Sequence, residues 1–286
     1  MKLLVEYQIE YQELWLVKNK EVILINIFEN EEIVYSNYEG LEYIQFKKLL
    51  EFGIKHAYTL KSKDINFSEH SKERDFSFKI LSKALDIKYE NFVRPIQTHS
   101  DKVKCIDKVE SIEELKNTDG LITNKKNIAL ISRNADCILM LFYDPVKKVI
   151  ANVHSGWRGT FKKIGEKTIN KMINYYGCNP KDIYCFICPC IRKCHFEVDD
   201  DVKILCENIF SFLDTKEFIV KGDIVEEKQK YFIDTVLINK ILLKEIGLQE
   251  KNIIDSNICS VCNKDKVHSY RVEKENKKIA TSIIVL

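Results

Sequence analysis

The sequence predicts an α+β fold, layered, with mixed β-sheets flanked by helices. Three observations carry that expectation. Strand-length apolar runs and longer helix-spaced stretches follow one another irregularly, without the strict alternation of a doubly wound sheet. Two apolar runs, Cys137–Tyr143 and Val149–Val153, flank an Asp144-Pro145 break and read as a hairpin. The chain ends on Ser282–Leu286, an apolar run suited to a strand buried on both faces.

Taken in order, Leu3 to Val34 alternates apolar and polar residues, notably in Leu14–Val17 and Val22–Phe28, and predicts an antiparallel meander. Leu41–Leu50 reads as a helix and His56–Thr59 as a strand. Glu69–Leu85 reads as a helix with Phe76, Ile80, Leu81 and Leu85 inward. In Asn91–Ile106, strand alternation puts Gln97 and His99 on one face before a Ser100-Asp101 turn. Ser111 and Glu114 have capping-box spacing. Thr118-Asp119-Gly120 is a turn into the extended Leu121–Thr123. Thr160 is the expected N-cap of a helix through Tyr176, closed by Gly177 and Pro180. Further on come a helix over Asp199–Phe210 with Val202, Leu205, Cys206 and Ile209 inward, a strand at Phe218–Val220, and a helix capped by Asp234 and ending at Gly247. Extended segments are expected at Ile253–Cys259, His268–Arg271 and Ile279–Leu286.

The composition narrows the function class. With 286 residues, 45% hydrophobic and 31% charged, the chain can bury a large core as one domain. Its 45 basic and 43 acidic residues leave a net charge of +2, which gives no argument for nucleic acid or a membrane surface. MKLLVEYQIEYQ lacks the apolar core of a signal peptide, and no run approaches the ~20 apolar residues of a membrane span. The cytoplasm is therefore the expected location. The ten cysteines should then be thiols, which favours metal or catalytic roles over disulfides.

The chemistry concentrates in Arg133–Thr160. A two-residue loop at Pro145-Val146 would set Asp144 opposite Lys147 and hence Cys137 opposite His154. Opposed β-carbons lie about 4.5–5.5 Å apart, a span that a zinc ion with bonds of about 2.3 Å to sulfur and about 2.0–2.1 Å to imidazole can bridge. The Gly156–Thr160 turn points backbone N–H groups from a helix start, and Arg158 adds a fixed positive charge, together an anion site suited to phosphate. A second group, Cys188, Cys190, Cys194 and His195 with the Cys259-x-x-Cys262 pair, is a rival structural zinc site.

In order, QTHS at 97–100, TDGLIT at 118–123, ADC at 135–137, VHSGWRGT at 153–160 and CPCIRKCHFEV at 188–198 resemble the YfiH-type laccase-domain family, also called peptidoglycan editing factor or polyphenol oxidase. The likeness runs from His56 to the C-terminus, and the N-terminal strands within residues 1–55 add little to it. It implies one domain over 1–286 with a fold shared with toxin deamidases, and zinc held by His99, Cys137 and His154. It also implies purine nucleoside phosphorylase, adenosine deaminase and methylthioadenosine phosphorylase activity on small purine nucleosides and phosphate, in a monomer or homodimer. Against the family pattern, Ser100, Cys188 and Arg192 replace glycines, Ser155 an alanine and Lys61 an arginine, and the terminal Gly-Arg is lost near Lys278-Ile279.

On this reading Cys137, Asp136 and Arg158 are the catalytic candidates, Asp136 orienting water or moving protons beside the metal. Arg158, Arg271 and Glu197 are the substrate contacts. Three rivals stand beside it. One is a copper polyphenol oxidase, for which one Cys and two His suit a blue-copper site, although only six His are present for a multicopper set. Another is a thiol hydrolase or amidase with Cys137 as nucleophile and His154 as base. The last is a zinc-stabilised, non-catalytic factor in cell-wall synthesis.

Overall fold

The computed structural model describes residues 13–18, 21–26 and 28–286, the first two segments as backbone only. Two six-stranded sheets dominate it. The first runs in the order Ile253–Asp255, Tyr184–Ile187, Ile138–Asp144, Val149–Ser155, Gly120–Thr123, Val103–Cys105. The second runs Ile33–Tyr38, Leu41–Phe46, Lys55–Thr59, Ala280–Val285, Ala129–Asn134, Phe92–Val93. The first sheet has a parallel pair at each edge and the second a parallel pair at one edge; the remaining pairs are antiparallel.

Alternation along the strands explains the layers. Leu139, Leu141 and Tyr143 of the first sheet meet Ile44, Tyr58, Leu130 and Ile284 of the second in one core between the sheets. The intervening Ile138, Met140 and Phe142 point the other way, against Ile164, Ile169 and Met172 of helix Ile164–Tyr176 and Val236 and Leu243 of helix Thr235–Glu245. Behind the second sheet, Ile131, Ile283 and Val285 pack on Phe78, Leu81 and Leu85 of helix Arg74–Leu85. The order is helix, sheet, sheet, helix. Strands buried on both faces read as unbroken apolar runs, which is why Ile138–Asp144 and the C-terminal strand look as they do in sequence. Asn152 ties the sheets together, donating to the carbonyls of Leu130 and Ser282 and accepting from the Ser282 hydroxyl. A three-stranded sheet of Glu197–Val198, Lys228–Ile233 and Ile219–Val225 packs with helix Asp200–Ile209 as an appendage.

Several expectations need correction. Leu41–Phe46 is a strand, and the helix is only Lys47–Glu51. Glu39 and Gly40 both have positive φ, so a tight turn folds Leu41–Phe46 back on Ile33–Tyr38. The second helix starts at Arg74, with Phe76 outward and Phe78 in its place. Gly156, not Thr160, caps the helical turn Trp157–Phe161; Lys163 then adopts a left-handed backbone before Ile164–Tyr176. Tyr270–Glu273 is a helical turn capped by Ser269. Extended structure near Cys259 stops at Asp255. On helix Asp200–Ile209 Leu205 is exposed while Cys206 is fully buried. The Ser111 capping box, the Asp234 cap and the Gly177 stop are present as read. Glu13–Lys18 and Glu21–Asn26 pair antiparallel as the meander requires; its part before residue 13 lies outside the described residues. No described helix is long and apolar enough to cross a membrane.

Candidate metal centre

The chain leaves the second sheet at Asn134 and enters the first at Ile138, so Asn134–Cys137 is the crossover between the layers. Asp136 takes a positive φ there, and Asn134 closes the turn by donating to the carbonyls of Cys137 and Pro189. The hairpin loop has four residues, not two. The Asp144 carboxylate accepts from the N–H groups of Val146 and Lys147, and Val149 rather than Lys147 faces Asp144. His154 is consequently opposite Leu139. A shift of two residues preserves the face, so Cys137 remains a diagonal neighbour of His154 on the same side of the sheet.

His99 arrives differently from the strand reading. Residues 97–100 form a turn with His99 at φ 59°, a left-handed backbone. Gln97 anchors it by exchanging two hydrogen bonds with the Arg133 backbone. The decisive residue is Asp119, fully buried, which the sequence reading treated only as part of a turn. Its carboxylate accepts from the N–H groups of Thr98, His99 and Ser100, from the Ser100 hydroxyl, and from His154 Nδ1 at 2.8 Å. One carboxylate thus shapes the His99 turn and turns Nε2 of His154 away from itself. Ser100, standing where the family has glycine, supplies two of those donors.

The outcome is a cluster in which the donor atoms of His99, Cys137 and His154 lie within 4.8 Å of one another. The Cys137 sulfur is 3.7 Å from His99 Nε2, and the two imidazoles meet edge to face at 4.9 Å between centroids. Burial pushes the Cys137 thiol up, but the positive His154 and hydrogen bonds from both histidines outweigh it and bring it down to about 6. Burial likewise opposes charge on His154, but the Cys137 thiolate and Asp119 raise it to about 9. Without a metal the pair is a thiolate and an imidazolium.

One thiolate and two imidazoles, one of them oriented by a carboxylate, fit a three-ligand zinc site with a free position. The set also matches the strong ligands of blue copper, whose weak axial ligand is usually Met. Met140 and Met172, however, lie in the core on the helix side of the sheet. Gly156 is required by close approach. A β-carbon there would come within 2.7 Å of His99 Cδ2 and 3.1 Å of the Cys137 sulfur. Gly156→Ala is expected to keep the fold, since φ is −61°, and to weaken metal binding at least about tenfold by displacing the imidazole. Metal titration beside circular dichroism measures both.

A cavity of about 550 Å³ opens in front of the cluster. Its walls include Trp157, Phe196, Tyr270, Arg158, Asp136 and Arg271. The Arg158 guanidinium stacks on Trp157 at 4.2 Å and has no carboxylate partner among the described residues. Arg271 donates to the carbonyls of His195 and Glu197, which fix it without neutralising it. Glu197 therefore enters through its backbone and does not line the cavity. Both Asp136 oxygens are engaged, one by the Ser260 hydroxyl at 2.5 Å and one by the Arg271 N–H at 2.7 Å. Cys188 and Cys190, grouped with the second cysteine cluster in sequence, are buried in the two main cores instead.

Residues 61–286 match the family model described as multi-copper polyphenol oxidoreductase laccase. A purine nucleoside phosphorylase of Bacillus subtilis, YlmD, is 32% identical over 64% of this chain and 66% of its own length. The mouse purine nucleoside phosphorylase LACC1 is 29% identical over 76% of this chain, which spans half of it, and one from Clostridium acetobutylicum is 30% identical over 77% of this chain and 87% of that protein. Among solved structures, the Bacillus licheniformis hypothetical protein YfiH superposes with a TM-score of 0.77 at 24% identity, over 88% of this chain and 98% of that one. YlmD of Geobacillus stearothermophilus gives 0.75 at 20%, over 91% and 99%. The match of the family model over residues 61–286, on a fold shared with these structures, makes the chain a member of the YfiH-type laccase-domain family.

Proposed function

We propose that the chain is a zinc-dependent purine nucleoside phosphorylase that also deaminates adenosine and cleaves methylthioadenosine, with His99, Cys137 and His154 holding the metal. The observation that carries this is the opening of a Cys-His-His cluster onto a 550 Å³ cavity that also holds two arginines, Arg158 and Arg271, without carboxylate partners among the described residues. The relatives named purine nucleoside phosphorylase point to the same class. The reducing cytoplasm fits ten unpaired cysteines.

A zinc ion at these donors would supply Lewis acidity and a bound water with a pKa near ~7. The protein's own contribution is orientation and charge. Trp157, Phe196 and Tyr270 offer faces for a purine ring. Arg158, held by its stack on Trp157, is placed to take the phosphate that attacks the ribose C1′, giving free base and ribose 1-phosphate. Asp136 acts as a positioning residue, fixing the Arg271 and Ser260 segments through its two oxygens.

Purified protein given adenosine and phosphate should release adenine and, separately, inosine, resolved by chromatography; no turnover by metal-loaded protein counts against the proposal. Arg158→Ala is expected to raise the KM for phosphate about tenfold to a hundredfold, the worth of one charged hydrogen-bond donor, with deamination unaffected.

A second reading has its own support. Asp119, His154 and Cys137 form a carboxylate-imidazole-thiolate chain, the arrangement of a cysteine hydrolase. Metal on Cys137 would block that chemistry, and copper would favour the oxidase named by the family. Metal analysis of the purified protein separates all three.

A further inference from the structure

We propose a second metal site, closed and structural, formed by Cys194, His195, Cys259 and Cys262. Four protein donors around zinc, at about 2.3 Å for sulfur and about 2.0–2.1 Å for nitrogen, stand about 3.8 Å apart (sulfur to sulfur) and about 3.6 Å apart (sulfur to nitrogen) in a tetrahedron. Here the Cys194 sulfur is 3.5 Å from that of Cys259 and 3.7 Å from that of Cys262. His195 Nδ1 is 3.1 Å from Cys194, 3.8 Å from Cys259 and 3.5 Å from Cys262. The four donor atoms all fall within 4.8 Å of one another. This near-tetrahedral set is separate from the His99, Cys137 and His154 cluster, and nothing in the proposed reaction uses it.

The surroundings suit thiolates on a cation. Burial pushes the Cys259 thiol up, but backbone N–H groups of Cys262, Arg192 and Val261 outweigh it and leave it below the usual range. Such N–H groups aimed at a ligand sulfur orient and stabilise it as hydrogen-bonded neighbours of metal ligands do. Cys194 is pushed the other way, to about 12, by burial and its neighbouring thiols. Three thiolates this close would repel one another, and a divalent cation would remove that conflict.

The site would clasp two segments that wall the cavity. Cys190 and Cys259 already form a parallel bridge, with Ser260 N–H donating to the Cys190 carbonyl. Between the ligands, Ser260 holds Asp136 and the His195 carbonyl holds Arg271. An ion tying residue 194 to residues 259 and 262 would fix Ile191, Phe196 and Arg271 around the cavity without touching substrate. With all four positions taken by protein, no open position is left for chemistry.

The full chain, purified under reducing conditions with zinc, should carry two zinc ions by mass spectrometry. Cys262→Ser and His99→Ala should each carry one, so failure of either site is seen separately. Cobalt loaded into His99→Ala should give the tetrahedral spectrum and strong charge-transfer absorption of a three-thiolate site, a readout that holds even if Cys262→Ser does not fold. One zinc in the wild type that survives Cys262→Ser, or no such cobalt spectrum in His99→Ala, would overturn the proposal.

Discussion

Asp119→Ala is expected to destabilise the protein by about 3–5 kcal/mol and to weaken metal binding at the His99, Cys137 and His154 cluster by about tenfold to a hundredfold. Removing the carboxylate leaves buried His154 without its ion-pair partner and returns the partly exposed N–H groups of Thr98, His99 and Ser100 to water, at a net loss of about 0.5–1.5 kcal/mol for each N–H. Relaxation of the left-handed backbone at His99, worth about 1–3 kcal/mol, offsets part of that loss. Separately, His154 loses the partner that fixes its tautomer. Asp119→Asn should recover part of the stability but not the metal affinity, since an amide cannot accept from every donor that the carboxylate serves. Thermal unfolding and zinc titration on both variants give the two effects independently. An Asp119→Ala protein with wild-type stability would remove Asp119 from the centre of the account.

Metal affinity is expected to climb about tenfold per pH unit between pH values of about 6 and 9. A zinc ion needs Cys137 as thiolate and His154 neutral. Below about 6 the pair carries two protons, because the thiol is then protonated and His154 is charged. Between about 6 and 9 it carries one, on His154, and above about 9 none. Binding therefore displaces two protons, then one, then none, and the pH slope of the affinity falls accordingly. In the metal-free protein the same shifts govern stability, with opposite windows. The lowered Cys137 contributes stability that is present above the ordinary thiol value and is lost as pH falls through about 6. The raised His154 contributes stability that is present below the ordinary imidazole value and is lost as pH rises through about 9. Both groups are charged together only between these limits. Competition titrations with a chelating dye across pH 5–10 measure the slope, and a flat profile between 6 and 9 would show that no such pair exists.

The site was legible in sequence where residue type carried the information. Cys137 and His154 could be paired from the spacing of the hairpin, and the resemblance of the motifs to the YfiH-type family added His99 as the third ligand. Their geometry was less legible. Counting a two-residue hairpin loop missed the Asp144 side chain, which caps two extra loop residues; the two-residue error left the face of the sheet unchanged, so the cluster survived it. Asp119 went unrecognised because its importance lies in five convergent hydrogen bonds from residues distant in the chain. The only local signal was an acidic residue beside Gly120, whose position tolerates no larger side chain without crowding Val103. The replaced family residues behave similarly: Arg192 pairs in two-pronged fashion with Asp255, and Ser155 bonds to Thr160. Leu41–Phe46 was misread because its apolar residues fit either period, and only the Glu39-Gly40 turn decides for a strand.

Adenine formation from adenosine and phosphate, compared between wild type and His99→Ala at equal protein and zinc concentration, tests the central claim most directly. Wild type should release adenine, and His99→Ala should lose at least about a thousandfold in rate while keeping its fold, as expected when one member of a catalytic unit is removed. Equal rates in the two proteins would contradict the assignment of the reaction to this cluster.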